Sequence, residues 1–344
     1  MGLAAQQPAS SAAPSPMKFF EAVNSYQRTA ALKTALELNL FTTIAEGAST
    51  AESIAKQVES AARGIRILCD FLVIQGFLSK TAAGYALTPD SAMFLNRKSH
   101  AYIGDAIHFL LNPQSQESFA RLTEAVRNGG TVLEENGATP ENPVWISFAR
   151  SMMPMMVPLA QTVAAIVSLP MDRPSKVLDI AASHGMYGIS LAKRYPRAHI
   201  VGLDWKNVLE LTRENAQRFG VGERYSTIAG DAFTVDFGSD YDLILLPNIL
   251  HHFDLAACES LLAKCRRSLR PAGSIAIIEF VPNEDRVSPP VSAGFALIML
   301  AQTPAGDAYT LREFQQMLSA SGFGRPEAYP LLPADHMLIV SKAD

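Results

Sequence analysis

The stretch KVLDIAASHGMYGISLAKRYPRAHIVGLD, residues 176–204, decides the fold class of this chain. Its apolar segment 177–180 predicts a strand that ends in a turn of small residues, and a helical pattern follows. A second apolar segment, 200–203, ends at Asp204, so the stretch predicts one β-α-β unit. Such a turn lets a ligand approach backbone N–H groups, and an acidic residue about 20 positions later can hold a ribose. Only Gly185 remains of the glycines usual in nucleotide-binding turns, so the stretch alone equally allows an ordinary strand-helix turn.

The chain after residue 174 alternates strands and helices, which is typical of a parallel α/β sheet. Its last segment, SGFGRPEAYPLLPADHMLIVSK, breaks this rhythm and predicts two strands joined by a short loop. We therefore expect an antiparallel hairpin at the end of the sheet. The predicted strands are 176–180, 199–203, 225–229, 241–246, 274–280 and 336–342.

Composition narrows the classes of partner. The 344 residues are 48% hydrophobic and 18% charged, which is enough for a sizeable core, and the net charge of -4 gives no electrostatic case for nucleic acid or an acidic membrane. The spacing of Cys69, Cys258 and Cys265 supports neither a zinc site nor a disulfide framework, so a reducing, cytoplasmic location fits. Residues 1–16 lack the features of a secretory signal and predict a disordered tail. No apolar run approaches the roughly 18 residues that span a bilayer.

Residues 17–100 predict three helices and a hairpin, the outline of a winged helix. The helix expected at 61–75 carries Ile65, Leu68 and Phe71, so its surface is too apolar for a DNA-reading helix and favours burial against another domain or a second copy of the chain. Residues 101–170 are again mainly helical. Their methionine-rich end predicts either ordinary core or the wall of a pocket for a flat organic ligand.

Six motifs in order carry a resemblance to a known family. They are VLDIAASHG, GLDW, AGDAF, LLPNILHHFD, IIEFVPN and IMLAQTPAGDAYT. In this order they resemble the S-adenosylmethionine-dependent small-molecule O-methyltransferases of the plant caffeate and flavonoid type and their bacterial relatives. The likeness covers nearly the whole chain.

The resemblance implies a class I methyltransferase Rossmann-like sheet with an antiparallel terminal hairpin, together with an N-terminal winged-helix dimerisation domain. It implies a homodimer that acts on a small molecule, with no nucleic-acid or membrane partner. The implied domains are a dimerisation domain at 17–100, a helical connector at 101–170 that contributes to the substrate pocket, and a cofactor-binding catalytic domain at 171–344.

The resemblance also implies the cofactor, S-adenosyl-L-methionine, and the residues that hold it. Three carboxylates follow predicted strand ends, where ligands of open α/β sheets bind. The implied contacts are Asp179, Ala181, Ser183 and Gly185 for the methionine part, Asp204 and Trp205 for the ribose and the adenine side, and Asp231, Ala232 and Phe233 for the adenine.

For catalysis, the resemblance implies that His251 is a general base, that Glu279 orients it, and that no metal is required. A phenol with a pKa of about 10 is mostly protonated at neutral pH, and an imidazole with an ordinary pKa of about 6.5 can take its proton. In-line methyl transfer then needs mainly the proximity and orientation of the two bound ligands. The implied substrate-binding residues are Phe148, Met152, Met155, His252, Ile298, Met299 and Thr303.

This sequence departs from the family pattern at several positions. Pro247 stands where the plant enzymes often have a lysine that contacts the cofactor, and His252 replaces the usual aspartate after the base. Ala308 occupies the position of a second flanking glutamate, with Asp307 adjacent but not matched. The acceptor therefore need not be a phenol. Two alternatives stay open, which are another reaction of an S-adenosylmethionine-binding enzyme, including C-, N- or S-methylation, and a ligand-sensing regulator whose winged helix touches DNA.

Overall fold

The computed structural model describes residues 14–137, 139–331 and 336–343. They form two compact units, which divide between Gly104 and Asp105. The predicted disordered tail lies outside the described residues up to position 13. In the part of the chain that the structure describes, no helix is both long and apolar enough to cross a membrane.

The first unit contains helices followed by an antiparallel hairpin, in the order predicted from the sequence. A capping box begins the third helix, because the Thr50 hydroxyl accepts from the Ser53 N–H and the Ser53 hydroxyl accepts from the Thr50 N–H. On the fourth helix, Ile65, Cys69 and Leu72 share one buried face. The elements are α1 (Met17–Glu37), α2 (Leu40–Ala45), α3 (Ala51–Gln57), α4 (Ala62–Ile74), β1 (Leu78–Thr81), β2 (Gly84–Leu87) and α5 (Pro89–Phe94).

The second unit begins with short helices, as the sequence predicted for residues 101–170. Asn112 caps one of them by accepting a hydrogen bond from the Ser115 N–H, and Gly129 ends another with a φ of 80°. The helices are α6 (Ile107–Leu110), α7 (Pro113–Ala120), α8 (Leu122–Asn128), α9 (Val144–Ser151) and α10 (Met153–Ile166).

A seven-stranded sheet forms the centre of the second unit, with the strand order β5-β4-β3-β6-β7-β9-β8. The strands from β5 to β7 run parallel, whereas β9 is antiparallel to both β7 and β8, which confirms the predicted terminal hairpin. The strands are β3 (Ser175–Ile180), β4 (Ala198–Asp204), β5 (Tyr225–Ala229), β6 (Tyr241–Pro247), β7 (Leu269–Glu279), β8 (Glu327–Leu331) and β9 (His336–Lys342). The helices around them are α11 (Met186–Arg194), α12 (Lys206–Arg218), α13 (Leu255–Ser268), α14 (Pro290–Gln302) and α15 (Leu311–Ala320).

Both faces of this sheet are covered by helices. Val177 packs in a cluster with Met156 of α10, while the next residue, Leu178, packs in another cluster with Leu261 of α13. The chain leaves β3 toward β4 on one side and later returns to add β6 on the other. The edge beside the carboxyl ends of β3 and β6 is therefore the topological switch point, where open α/β sheets bind ligands.

Candidate active site

A cavity of about 590 Å³ lies at this switch point. Its size falls within the range of about 300–1,000 Å³ that is typical of small-molecule sites. The cavity brings together predicted contacts for the cofactor, the base and the acceptor. The predicted residues that line it are Phe148, Met152, Ala181, Ser183, Asp204, Trp205, Asp231, Ala232, Phe233, His251, His252, Ile298 and Met299.

The turn between β3 and α11 keeps a glycine-type backbone without the usual glycines. Ala181 has a φ of 56° and Ser183 a φ of 50°, both in the left-handed region, and Gly185 follows with a φ of 77°. A non-glycine residue in this region costs on the order of 1–2 kcal/mol. Packing also restricts position 185 to glycine, since an added Cβ would lie 3.0 Å from Thr212 Cγ2. It caps α11 and does not line the cavity.

Asp179 lies beneath this turn and outside the cavity. It is fully buried, and its Oδ2 accepts a hydrogen bond from the Gly188 N–H at 3.0 Å, within the first turn of α11. Burial raises the pKa of this carboxyl to about 8. The structure thus places Asp179 where it holds the turn to the helix.

Asp204 lines the cavity at the end of β4 and ties two backbone segments together. Its Oδ2 accepts from the Ser183 N–H at 2.8 Å, and its Oδ1 accepts from the Trp205 N–H at 2.7 Å. Burial raises its pKa to about 6. Because an ionised carboxylate offers about four lone-pair sites, two remain for hydroxyl donors of a ligand.

Asp231 follows β5 on the same side of the cavity. Its Oδ1 accepts from the Phe233 N–H at 2.8 Å, which shapes the loop, and the Phe233 ring meets the edge of Phe253 with 4.8 Å between ring centroids. The Lys264 ammonium holds the other side of this loop by donating to the carbonyls of Ala232 and Val235 at 2.9 and 2.6 Å. A flat ring bound here would contact apolar side chains beside one carboxylate.

His251, in the short 3₁₀ turn that follows β6, and Glu279, the last residue of β7, form a buried pair. The imidazole Nδ1 lies 2.6 Å from Glu279 Oε2, and Glu279 Oε1 accepts from the N–H groups of Leu250 and His251 at 2.9 and 3.3 Å. Because an ionised carboxylate can only accept hydrogen bonds, the imidazole carries its hydrogen on Nδ1. The Nε2 lone pair is then free for another proton. Glu279 itself lies outside the cavity and acts on His251.

His252 belongs to an aromatic wall of the same cavity. Its ring meets Trp145 edge to face with 5.2 Å between centroids, and it lies 4.4 Å from the His251 ring by the same measure. Its Nδ1 is buried without a hydrogen-bond partner. Burial and the neighbouring His251 hold the pKa of His252 well below its usual value, so this ring is neutral at pH 7.

Two predicted acceptor contacts do not line the cavity. Met155 is 40% exposed, whereas Met152 and Met156, four positions apart, both face the cavity. Thr303 is fully buried. Its hydroxyl is satisfied within the protein, since it donates to the Met299 carbonyl at 2.7 Å and accepts from the Gly306 N–H at 2.9 Å. It fixes the turn after α14.

The sequence prediction missed several lining residues. Trp145 and His184 were not missed outright, because Trp145 belongs to the methionine-rich segment that predicted either core or a pocket wall, and His184 lies in the turn 181–185 implied for the cofactor. The remaining residues had no such signal, because their role depends on which neighbours the fold supplies. The principal omissions are Phe109, Tyr187, Asn248, Phe280 and Phe295.

Besides His252, three lining residues carry buried polar atoms without hydrogen-bond partners, namely Ser183 Oγ, Tyr187 OH and Asn248 Oδ1. Unpaired buried polar atoms are costly and call for a ligand or water. Their position beside the β3 turn fits the polar end of a bound cofactor such as S-adenosylmethionine. Among the described residues, no group of three or more His, Cys, Asp or Glu side chains is placed to hold a metal ion.

Comparison with known proteins identifies the family. Residues 119–324 match the model of the O-methyltransferase domain, and residues 20–97 match that of the O-methyltransferase dimerisation domain. The chain belongs to the O-methyltransferase family. As a member, it is an S-adenosylmethionine-dependent methyltransferase, and its N-terminal unit carries the dimerisation domain of that family.

Relatives cover most of the chain. A 3-hydroxy-5-methyl-1-naphthoate 3-O-methyltransferase of Streptomyces sahachiroi is 27% identical over 86% of each chain, and the tetracenomycin polyketide synthesis 8-O-methyl transferase TcmO of Streptomyces glaucescens is 26% identical over 85% of this chain and 87% of its own. A solved structure from Nostoc punctiforme, described provisionally as an O-methyltransferase, is 51% identical and has a TM-score of 0.93 over 96% of this chain and 99% of its own. Human N-acetylserotonin methyltransferase in complex with S-adenosylmethionine has the same fold, with 23% identity and a TM-score of 0.82 over 98% of this chain and 99% of its own.

Proposed function

We propose that this enzyme transfers the methyl group of S-adenosylmethionine to a hydroxyl oxygen of a largely apolar, aromatic small molecule, with His251 as general base. The observation that carries this proposal is the His251–Glu279 pair, 2.6 Å apart, in which His251 lines the same cavity as Asp204. A base and a ribose-binding carboxylate in one cavity give both ligands a place side by side.

His251 takes the proton of the acceptor. The Nδ1–H bond to Glu279 leaves Nε2 as the acceptor atom, and the Glu279 carboxylate stabilises the imidazolium once the proton arrives. The acceptor oxygen thereby gains the electron density that it needs for attack. Glu279 is a positioning residue, because it touches His251 and not the cavity.

The cofactor end of the cavity is formed by the chain's own carboxylates and aromatic rings. With the cofactor bound, Asp204 would accept hydrogen bonds from the ribose hydroxyls, and Asp231 would accept one from the adenine amino group beside the Phe233 ring. When bound, S-adenosylmethionine supplies an electrophilic methyl group on a sulfonium, which leaves as a neutral thioether. These residues orient the two ligands and exclude water.

The acceptor end is apolar and aromatic. Phe109 and Phe148 meet edge to face with 5.0 Å between ring centroids, and Phe280 stacks on Phe295 with 4.1 Å between centroids. Such walls favour a flat, hydrophobic acceptor. The named relatives support this class, since they methylate a hydroxynaphthoate or act in tetracenomycin polyketide synthesis, and another is a phenazine O-methyltransferase of Lysobacter antibioticus.

The missing second glutamate does not leave His251 without an orienting carboxylate. Ala308 is buried and offers no carboxylate, and the adjacent Asp307 points to Arg286, with 3.2 Å between its Oδ2 and the guanidinium Nη1. Glu279 alone therefore holds the imidazole. One orienting carboxylate is sufficient to fix the tautomer that a base requires.

We also propose that the enzyme works as a homodimer assembled through residues 17–100, with residues 101–170 supplying acceptor contacts and 171–344 the cofactor site. The matched dimerisation domain supports self-association. On α1, Phe19, Phe20, Val23 and Tyr26 expose large apolar side chains, which a second copy would cover.

The direct test is a transfer assay. The enzyme is incubated with methyl-labelled S-adenosylmethionine and a panel of naphthols, hydroxynaphthoates and hydroxyphenazines, and products are identified by mass spectrometry. We expect labelled methyl ethers or esters together with an equal amount of S-adenosylhomocysteine. Cofactor binding without transfer to any oxygen acceptor, or transfer confined to carbon, nitrogen or sulfur, would contradict the proposal.

A further inference from the structure

The β3 turn and the end of β6 form a group of polar side chains that the proposed reaction does not use. Tyr187 is 3% exposed, and its hydroxyl lies close enough to the Asn248 side chain to interact with it. By distance and angle, however, neither this hydroxyl nor Asn248 Oδ1 completes a hydrogen bond. Ser183 Oγ, on the same turn, is unpaired as well. All three residues line the cavity. Unpaired buried groups of this kind cost stability until a ligand satisfies them.

His184 adds a hydrogen-bond donor to this group, and its tautomer follows from the hydrogen bond at Nδ1. Its Nδ1 accepts a hydrogen bond from the Met186 N–H at 3.1 Å, so the hydrogen of the neutral ring sits on Nε2. Burial lowers the pKa of His184 to about 4, which keeps the ring neutral at pH 7. Because His184 lines the cavity, its Nε2–H is the donor that it can offer to a ligand.

This end of the site has no cationic side chain among the described residues. Among the described residues that line the cavity, none is lysine or arginine, and Pro247 occupies the position beside Asn248. An amino-acid group bound here would need donors for its carboxylate and acceptors for its ammonium. Neutral side chains supply both, since Tyr187, His184 and the Asn248 amide nitrogen are donors, while the Asn248 amide oxygen and the Ser183 hydroxyl oxygen are acceptors.

We infer that the amino-acid end of the cofactor is bound by a neutral subsite made of Tyr187, Asn248, His184 and Ser183, in place of a cationic side chain. This inference rests on the proposed function and assigns its cofactor recognition to residues of this chain. It predicts that the affinity gained from the amino-acid end depends on hydrogen bonds rather than on an ion pair. That part of the affinity is then only weakly sensitive to salt.

The test measures the affinities of two ligands for each of several variants. Affinities are measured by titration calorimetry for S-adenosylhomocysteine, which has the amino-acid end, and for 5′-methylthioadenosine, which lacks it. We expect Tyr187→Phe to weaken S-adenosylhomocysteine binding about 10- to 100-fold, the size of a lost hydrogen bond to a charged group, while methylthioadenosine binding stays the same. Asn248→Asp keeps the shape and tolerates the φ of 52° at this position, but replaces the amide donor with a negative charge. It should produce the same selective loss.

Tyr195→Phe is the matched control, because Tyr195 is also buried at an end of α11 but its hydroxyl already donates to the Val167 carbonyl at 2.7 Å, outside the cavity. This variant should leave both affinities unchanged. If Tyr187→Phe and Asn248→Asp preserve the ratio of the two affinities, the neutral subsite is wrong while the proposed function stands. If the unmodified enzyme binds no S-adenosylhomocysteine, the proposed function fails, and this inference fails with it.

Discussion

The two polar ends of the cavity differ in how far their groups are paired before any ligand binds. At one end, Glu279 receives hydrogen bonds from the His251 ring and from the backbone N–H groups of Leu250 and His251. At the other end, the hydroxyl of Tyr187 and the amide oxygen of Asn248 are buried without partners. The His251–Glu279 pair is thus a complete hydrogen-bond network, whereas the group around Tyr187 and Asn248 is incomplete.

This difference separates chemistry from binding. A base must hold its orientation and tautomer before the acceptor arrives, so its partners come from the protein. A binding subsite instead keeps its hydrogen-bonding capacity for the ligand, and the protein bears the cost of the unpaired groups until then. Turnover and cofactor affinity should therefore respond separately to substitutions at the two ends.

The largest expected effect is on turnover in His251→Ala. Loss of a general base slows the chemical step by roughly 100- to 10,000-fold. Affinity for S-adenosylhomocysteine should stay unchanged, because the hydrogen-bond partner of His251 is Glu279 and not the cofactor. Turnover is measured with labelled cofactor, and calorimetry provides the control. Retained turnover would mean that the acceptor ionises without His251.

The next effect is on cofactor affinity in Asp204→Ala. Removal of a carboxylate that accepts ribose hydroxyls should weaken binding by roughly 1.5–3 kcal/mol, or about 10- to 150-fold. Tyr187→Phe should affect only ligands with the amino-acid end, whereas Asp204→Ala should weaken methylthioadenosine to the same degree as S-adenosylhomocysteine. Equal affinities in the variant and the unmodified enzyme would remove Asp204 from the binding site.

A smaller effect is expected for His252→Phe, which keeps an aromatic wall against Trp145 but removes the unpaired Nδ1. A neutral hydrogen bond contributes about 0.5–1.5 kcal/mol, so KM for a hydrogen-bonding acceptor should rise roughly 2- to 10-fold with little change in kcat. Steady-state kinetics with the best acceptor measure this split. An unchanged KM would leave His252 with a packing role alone.

The smallest functional effect is expected at Asp179, where the change is in stability. Its pKa of about 8 in the folded protein lies above its ordinary value of 3.8, so the folded state binds more protons between these values and loses stability as the pH rises. Asp179→Asn lacks this titration. Its stability relative to the unmodified enzyme should therefore increase from pH 5 to pH 8, as measured by urea unfolding. A difference that does not change with pH would contradict the raised pKa.

The sequence predicted those parts of the molecule that depend on local pattern. Apolar segments bounded by turns located the strands, and Asp204, Asp231 and His251 could be placed because each follows a strand whose end lies at one edge of the sheet. The terminal hairpin was equally accessible, since its two apolar segments are close in sequence. Periodicity and topology are sufficient for such features.

The unpaired subsite could not be predicted in this way. Tyr187 and Asn248 lie on separate elements and become neighbours only when β3 and β6 pair in the sheet. Likewise, Met155 and Thr303 match acceptor positions by sequence, but the rotation of one helix and a local hydroxyl bond turn them away from the cavity. Side-chain direction and pairing are properties of the folded neighbourhood.

The most direct test of the separation between the two ends is a crossed measurement on His251→Ala and Tyr187→Phe. For each variant, the dissociation constant of S-adenosylhomocysteine is measured together with the single-turnover rate of methyl transfer at saturating cofactor. We expect His251→Ala to lose rate and keep affinity, whereas Tyr187→Phe should lose affinity and keep most of its rate. Parallel losses of rate and affinity in both variants would contradict this separation of chemistry from binding.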